Sequence, residues 1–436
     1  MVEYIIYIMK GKFFMEIRDI KIAKGVTLHY IKDTKYKTVS MSVFLRRPLE
    51  KETATLNALL AGVLKQGTNK LNNMKDISRY MSDLYGAGYD ISVFKTGSTH
   101  NLSFDISFLS EKYLTESIEK RCVDFLFDLI FDSKCIGQSF DESDVETDKN
   151  NLRDDIDSII NSKREYAEKR LNEIMFEGET ASIPSLGYKE EIDKISAGSL
   201  YEYYRKIIFE SPIDIYIVGE VDFQKVSEDI KERLSSYEFN ICDVSHRFEI
   251  RGAGDVKNVE EKMDVTQGKL CIGMRTNISK KDDDYFAFVV ANSILGAGAH
   301  SKLFNNVREK LSLCYYVYSR FSSLDGAVKI DAGIEFDKVE EAKKEIFNQI
   351  ECVKSGDFSD DEFKAAKEFL IDRYKKYTDS PGAIMQYLYT EEVTGIKYTI
   401  EEMVERVGKV TREEAVKAIS KLQLDTVYFL KGKDIE

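Results

Sequence analysis

The chain has 436 residues, of which 43% are hydrophobic and 32% are charged, and its formal net charge is -13. A chain of this length is too long for one hydrophobic core, and this composition is typical of a globular protein with more than one domain. The negative charge argues against nucleic acid as the main partner, because phosphate binding requires concentrated Lys and Arg. The sequence has no apolar run long enough for a transmembrane helix, so we expect no membrane partner.

The cysteines and histidines are scattered along the chain. The cysteines contain no CxxC pair, a spacing that favours reduced thiols in a cytoplasmic protein over a disulfide framework or a zinc ribbon. No two histidines lie within one helical turn of each other, so no pair can chelate a metal from a single helix. We therefore expect a cytoplasmic protein with no metal and no cofactor. The cysteines are Cys122, Cys135, Cys242, Cys271, Cys314 and Cys352, and the histidines are His29, His100, His246 and His300.

The first half alternates strands and helices. Period-two alternation predicts strands within residues 19–48, and apolar residues at helical spacing predict the helices. The later predicted elements are a helix at 52–65 closed by Gly67, a helix at 74–84, strands at 89–94 and 101–109, a helix at 114–131, a long charged helix at 144–176, a strand at 214–221 and a helix at 223–234. Residues 1–14 are either a leading strand or sequence upstream of a start at Met15, and they lack a signal-peptide pattern.

The same order of elements begins again in the second half. Predicted strands at 269–275, 314–321 and 326–334 and helices at 285–295, 303–311 and 339–353 repeat those of the first half. A repeat of this length indicates two duplicated domains rather than a solenoid. Residues 236–261 are polar and show no periodicity, which is typical of a linker. We therefore predict an α+β protein with domains at 15–235 and 262–436, joined by a linker at 236–261.

The stretch from Leu295 to Tyr318 combines a glycine loop, a short helix and an aromatic strand. Gly296 and Gly298 are predicted to end the preceding helix, because glycine takes the positive φ values common at helix C-termini. Arg308 and Tyr315 lie seven positions apart across the helix-to-strand junction, so the polar ends of both side chains could face one cleft. Alternatively, Arg308 is a solvated helix residue and Tyr315 a core aromatic. The glycine loop follows a helix rather than a strand, which argues against a dinucleotide-binding loop.

Three segments resemble the M16 peptidase family, which includes pitrilysin, insulin-degrading enzyme, the mitochondrial processing peptidases and the core proteins of the bc1 complex. They are LGAGAHSKLFNNVREKLSLCYYVYS from Leu295, VEEKMDVTQGKLCIGMRT at 259–276 and IDIYIVGEVD at 213–222. The resemblance covers residues 15–436 and is closest to the bacterial YfmF type of M16-like protein. It implies two duplicated domains, each a mostly antiparallel sheet with helices packed on it.

Active M16 members carry an HxxEH zinc motif on the first helix of the N-terminal half, just before a Gly-Thr turn. Alignment on the Gly-Thr pair that follows the helix at 52–65 places the motif positions at Ala58, Ala61 and Gly62. The resemblance places a third, acidic ligand near Asp154 or Asp155. Because a catalytic zinc site needs three protein ligands, Asp155 would be a weak remnant or simply a solvated helix charge. The sequence therefore predicts no catalytic zinc.

The resemblance also implies roles in the second half. Active relatives hold an arginine and a tyrosine, spaced like Arg308 and Tyr315, that reach toward the substrate backbone. In the non-catalytic subunit of the mitochondrial processing peptidase, a glycine-rich segment at the place of Gly296 and Gly298 is implicated in substrate handling. In this chain that segment is shorter, and its alternative role is only to end a helix.

These observations predict a catalytically inactive M16 homologue. We expect it to bind or position an extended peptide as the heterodimeric partner of an active, HxxEH-bearing M16 homologue, or to pair with itself as a homodimer. The alternative is a purely structural subunit of a complex, a role that the resemblance to the bc1 core proteins suggests. An independent peptidase is the least favoured reading, because four dispersed histidines assemble no specific catalytic cluster.

Overall fold

The computed structural model describes residues 3–10 and 13–432, and it has the expected α+β architecture. Its helices within those residues are α1 Lys51–Lys65, α2 Met74–Asp83, α3 Glu119–Phe131, α4 Glu142–Ser158, α5 Lys163–Met175, α6 Lys189–Ile192, α7 Ala197–Glu210, α8 Phe223–Leu234, α9 Tyr285–Gly296, α10 Val339–Ser355, α11 Asp360–Lys375, α12 Pro381–Thr394, α13 Ile400–Lys409 and α14 Arg412–Ile419. A π-helical segment, Leu303–Lys310, stands where a short α-helix was predicted.

The chain divides into two compact units that are not continuous in sequence. Unit 1 comprises residues 1–157, 183–246 and 378–395, and unit 2 comprises 158–182, 247–377 and 396–436. The sequence-based division at 236–261 assumed continuous domains, and it remains a prediction about the duplicated halves. Residues 238–256 within the described chain contain no helix or strand.

Unit 1 contains a seven-stranded sheet within the described residues. Its order is β1-β2-β3-β7-β4-β6-β5, and neighbouring strands are antiparallel except for the parallel pair β3 and β7. Residues 3–10, which precede the predicted strands, form its first edge strand. The strands are β1 Glu3–Lys10, β2 Phe13–Ala23, β3 Val26–Lys32, β4 Thr38–Pro48, β5 Gly88–Thr96, β6 Thr99–Leu109 and β7 Ile213–Gly219.

Unit 2 repeats five of these strands in the same spatial order. Its described strands are arranged β10-β11-β9-β12-β8, with β12 and β8 forming the parallel pair. This order matches β5-β6-β4-β7-β3 of unit 1 strand for strand, so the predicted duplication is confirmed at the level of topology. The strands are β8 Lys257–Met263, β9 Gly268–Arg275, β10 Cys314–Ser322, β11 Ala327–Ile334 and β12 Gln423–Gly432.

The central strands of each sheet are buried on both faces, and one of these faces lies under a helix from the opposite half of the sequence. In unit 1, Ile215 and Ile217 of β7 face the main core, whereas Tyr216 faces α12 and lies near the Tyr389 ring. In unit 2, Ala167 and Leu171 of α5 pack on β9 and β12. Alternate side chains of a strand point to opposite faces of the sheet. Because β7 is apolar at both sets of positions, both faces of the sheet must be covered there.

The single long helix predicted at 144–176 is wrong. The chain instead forms α4, a 3-10 turn at Ile159–Asn161, and then α5. Ser162 has extended backbone angles, and its hydroxyl accepts a hydrogen bond from the amide of Glu165, which caps α5. Serine competes for backbone hydrogen bonds inside helices but stabilises their N-termini, so the break follows from a capping residue within an otherwise helical pattern.

A buried ionic cluster lies on the face of the unit 1 sheet that α12 covers. The His29 ring stacks on Tyr216 with ring centres 4.4 Å apart, and its Nδ1 lies 2.8 Å from Asp19 Oδ1. Its Nε2 lies 3.6 Å from Asp214 Oδ1, and Arg46 Nη2 lies 3.6 Å from the other oxygen of that carboxylate. Burial alone would lower the pKa of His29, but the two carboxylates outweigh it and raise the pKa to about 9.

This arrangement predicts a pH-dependent stability. The folded pKa of His29 lies above its ordinary value of 6.5, so its stabilising effect is complete below pH 6.5 and is lost as the pH rises through about 9. We expect His29→Gln to lower the free energy of unfolding by about 2–3 kcal/mol at the acidic end of this range and by little above it. Urea titrations of both proteins across the range measure the difference, and parallel pH profiles would contradict the assignment.

Candidate functional site

The helix that corresponds to the zinc-motif helix of active M16 peptidases is α1. Its Ala58 and Ala61 are buried and Gly62 is half-buried. A short turn follows, in which the Thr68 amide donates to the carbonyl of Leu71 at 2.9 Å. A Cβ on Gly67 would lie 2.7 Å from that same carbonyl oxygen, so the turn requires glycine. The methyl groups and hydrogen at the three motif positions offer no atom that binds a metal.

The carboxylate that faces this helix is Asp148 of α4, which the sequence analysis missed. A Cβ on Gly62 would lie 3.1 Å from Asp148 Oδ1. Gln66 Nε2 and Asn151 Nδ2 each donate to the Asp148 carboxylate at 3.0 Å. Burial raises the pKa of Asp148 above its ordinary value despite these hydrogen bonds. Asp155 lies two helical turns further along α4 and is exposed.

The sequence did contain a signal for Asp148. Val145, Asp148 and Leu152 occupy positions i, i+3 and i+7, so the carboxylate shares the buried face of α4 with two apolar side chains. The described part of the chain, residues 3–10 and 13–432, contains no group of three or more His, Cys, Asp or Glu side chains placed to hold a metal ion. One carboxylate that is already hydrogen-bonded does not fit a catalytic zinc ion.

Arg308 lies on the π-helical segment and Tyr315 at the start of β10. The wide turns of this segment are visible where the Leu311 amide donates to the carbonyl of Asn306, five residues back. The Arg308 side chain is 40% exposed, and its guanidinium lies 4.7 Å from the centre of the Phe304 ring. Such wide turns are rare and occur frequently at functional sites.

Tyr315 is 59% exposed, so the alternative that it is a core aromatic is wrong. Its hydroxyl donates to Glu335 Oε1 at 3.1 Å. The Nε of Arg308 lies 3.6 Å from Glu309 Oε1. Within the described residues the two side chains therefore have separate partners, and no hydrogen bond joins them. Tyr315 lies on β10, the outer strand of the described unit 2 sheet, and the π-helical segment that carries Arg308 packs against β10.

The glycine loop ends α9 as predicted, but not for the predicted reason. Neither Gly296 nor Gly298 has a positive φ, and Ala297 caps the helix with φ -88°. Gly296 is needed because a Cβ there would lie 2.6 Å from Ser319 Oγ and 2.7 Å from the Ser319 amide nitrogen. The loop therefore brings the end of α9 against β10. A Cβ on Gly298 would approach the His300 ring at 3.0 Å.

Among the described residues, every helix is either too short or too polar to serve as a membrane span.

Residues 194–370 match the family described as Peptidase M16 inactive domain. The chain is 33% identical over 412 residues to the Bacillus subtilis (strain 168) protein named probable inactive metalloprotease YmfF, a match that covers 94% of this chain and 96% of that protein. It is 22% identical over 294 residues to the uncharacterized zinc protease YmxG of the same strain, covering 67% of this chain and 69% of that one.

Solved structures show the same fold. A conserved protein from Enterococcus faecalis V583 superposes with a TM-score of 0.87 at 29% identity, over 96% of this chain and 99% of that one. A peptidase M16 inactive domain from Pseudomonas fluorescens gives a TM-score of 0.78 at 16% identity, over 96% and 98% of the two chains. The chain therefore belongs to the M16 peptidase family, as an inactive homologue whose first helix lacks the zinc-binding side chains.

Proposed function

We propose that this chain is the non-catalytic partner of an active, zinc-dependent M16 peptidase and that it binds or positions an extended peptide for that partner. The observation that carries the proposal is a contrast between the two units. Ala58, Ala61 and Gly62 leave the motif positions of α1 without metal ligands, whereas Tyr315 is exposed on the edge strand β10 and Arg308 is partly exposed on the adjoining π-helical segment. Hydrolysis would then occur on the partner, at the cytoplasmic location that reduced cysteines favour.

The relatives support a partnership between active and inactive members. Bacillus subtilis strain 168 contains both a relative named as an inactive metalloprotease and a relative named as a zinc protease. The two proteins are therefore available in one organism. We infer the same pairing for this chain, with a homodimer as the alternative when the active protein is missing.

The edge strand β10 supports peptide binding. An edge strand presents a row of backbone N–H and C=O groups that can pair with an added strand. Beside it, Arg308 offers guanidinium donors and Tyr315 a hydroxyl. An extended peptide laid along β10 would receive backbone hydrogen bonds from the strand and polar contacts from these two side chains.

A reconstituted peptidase assay tests the proposal. We expect the purified chain alone to release no product from an extended peptide, and its addition to the HxxEH-bearing M16 protein of the same host to increase that protein's turnover. The double variant Arg308→Ala/Tyr315→Phe should lower the turnover of the pair about tenfold or more, because it removes the two donors that we propose contact the peptide.

Matched controls separate this effect from a general loss of charge. Lys310→Ala removes a neighbouring exposed cation of the π-helical segment, and Tyr113→Phe changes an exposed tyrosine of unit 1. Both should leave turnover within twofold of the wild type. Hydrolysis by the chain alone that survives purification, or no gain of turnover on mixing, would overturn the proposal.

A second candidate, a structural subunit with no substrate role, has one observation in its favour. Tyr315 and Arg308 already have local partners in Glu335, Glu309 and Phe304. If the pair assembles but the double variant retains full turnover, the structural role is the correct one.

A further inference from the structure

Unit 2 contains a cavity of about 420 Å³ whose walls come from α9, β10 and α11. Tyr285, Val289 and Asn292 line one wall at positions i, i+4 and i+7 of α9. Leu370 and Tyr374 line the opposite wall one turn apart on α11. The volume lies within the range of sites that hold small organic ligands.

The third wall comes from β10, whose alternate residues Ser319 and Phe321 point toward the helices. The Phe321 ring centre lies 6.2 Å from that of Tyr285, so aromatic side chains of the strand and of α9 meet in the cavity. Close approach of β10 to α9 is possible because Gly296 has no side chain. The glycine loop thus shapes this cavity, a role that was not evident from the sequence.

The lining carries positive charge and no acidic side chain, within a chain whose net charge is -13. One lining arginine, Arg320, has its guanidinium 3.8 Å from Glu168 and over the Tyr318 ring. The other, Arg373, forms no hydrogen bond or ion pair with any residue in the described part of the chain. Arg373 is therefore a cation at an aromatic cavity with its donors available.

Two tyrosine hydroxyl groups that the charge of Arg373 reaches extend this polar side of the cavity. Burial raises the pKa of both Tyr285 and Tyr374, and the positive charge of Arg373 opposes the rise at both hydroxyls. At neutral pH these tyrosines are therefore protonated and can donate hydrogen bonds. A carboxylate accepts such bonds and pairs with a guanidinium in bidentate geometry.

We propose that this cavity binds a carboxylic acid with an aromatic or aliphatic body, whose carboxylate pairs with Arg373. The acid is either a free small molecule or the C-terminal residue of a peptide, because both present the same group. The aromatic or aliphatic part of the ligand lies between the walls formed by α9 and α11, and Tyr285 or Tyr374 donates a hydrogen bond to its carboxylate. A monoanion fits better than a phosphate dianion, because the lining offers no second available cation to pair with a second negative charge.

The absence of tryptophan from the chain makes the test direct. N-acetyl-tryptophan is added to the full chain and its indole fluorescence is followed at wavelengths where tyrosine absorbs weakly. N-acetyl-tryptophanamide is the matched neutral ligand. We expect the acid to bind at least about tenfold more tightly than the amide, since the amide cannot form the charged pair.

Peptides distinguish the two sources of the carboxylate. A short peptide that ends in tryptophan is compared with its C-terminally amidated form and with N-acetyl-tryptophan. If the free-acid peptide binds about tenfold more tightly than N-acetyl-tryptophan, the ligand is a peptide C-terminus; equal affinities indicate a free acid. Failure of both acids to bind overturns the proposal.

Variants of residues inside and outside the cavity locate the binding site. Arg373→Gln should weaken binding of the acid about tenfold to a hundredfold and leave binding of the amide unchanged. Lys375→Gln removes the same charge from the same end of α11 outside the cavity, and should have less than a twofold effect. Val289→Phe fills the cavity and should abolish binding of both ligands. Equal losses in Arg373→Gln and Lys375→Gln, or equal affinity of the acid and the amide for the wild type, would contradict the assignment.

Discussion

Replacing Arg275 with Met is expected to lower the free energy of unfolding of unit 2 by about 3–5 kcal/mol. Arg275 ends β9 and is 2% exposed. Its guanidinium donates to Glu179 Oε1 at 2.6 Å and to Glu179 Oε2 at 3.1 Å, and its Nε donates to Asp425 Oδ2 at 3.1 Å. Both carboxylates are at least nine-tenths buried, so the variant leaves two enclosed negative charges without a cation.

Urea unfolding followed by circular dichroism measures this loss. Lys364→Met provides the matched control, because Lys364 pairs with Glu368 where both side chains are mostly exposed, and its effect should stay within about 0.5 kcal/mol. Adding Glu179→Gln to the Arg275→Met variant should recover part of the stability, since it removes one of the unpaired charges. Similar midpoints for Arg275→Met and Lys364→Met would contradict the role of this network.

Gly296→Val is expected to destabilise unit 2 by about 3 kcal/mol or more. The new Cβ would lie 2.6 Å from Ser319 Oγ, 2.7 Å from the Ser319 amide nitrogen and 2.8 Å from Leu303 Cδ1. A flexible side chain can move away at small cost, but the amide nitrogen belongs to β10 and is held by the sheet. The variant must therefore separate α9 from the strand, which would also distort the cavity at their junction.

A second glycine gives the opposite expectation. Gly408 lies within α13, and a Cβ there would meet no atom within 4 Å. Gly408→Ala should stabilise the protein by about 0.5–1 kcal/mol, because alanine loses less backbone entropy in a helix than glycine. Thermal unfolding of the two variants measures both effects. Equal shifts in the same direction would show that close packing is not what fixes glycine at 296.

Several elements were predictable because a local pattern determined them. The largely continuous apolar run of β7 predicted a buried strand, and Gly67 correctly marked the end of α1. The missing zinc ligands could also be read directly, since a side chain without nitrogen, oxygen or sulfur cannot bind zinc in any fold. The break at Ser162 was missed because a helix-capping residue and a solvated helix residue look alike without the backbone.

The placement of the site residues could not be predicted from local sequence patterns. The sequence suggested Asp155 as an acidic remnant, whereas packing of α4 places Asp148 against Gly62. Charged residues recur along α4, and only contact with α1 distinguishes one register from another. The cavity of unit 2 was not predictable for a related reason. Its walls come from positions far apart in sequence, and none of them alone has an unusual pattern.

The sequence by itself determined the α+β class, the two repeated halves and the loss of the metal-binding side chains, because these depend on hydropathy period and residue chemistry at known positions. Only the tertiary structure decided that α5 covers the sheet of unit 2 and α12 that of unit 1. An apolar helical stripe requires burial but does not specify its partner surface. The choice of sheet, the placement of Asp148 and the available donors of Arg373 follow from packing between segments that are distant along the chain.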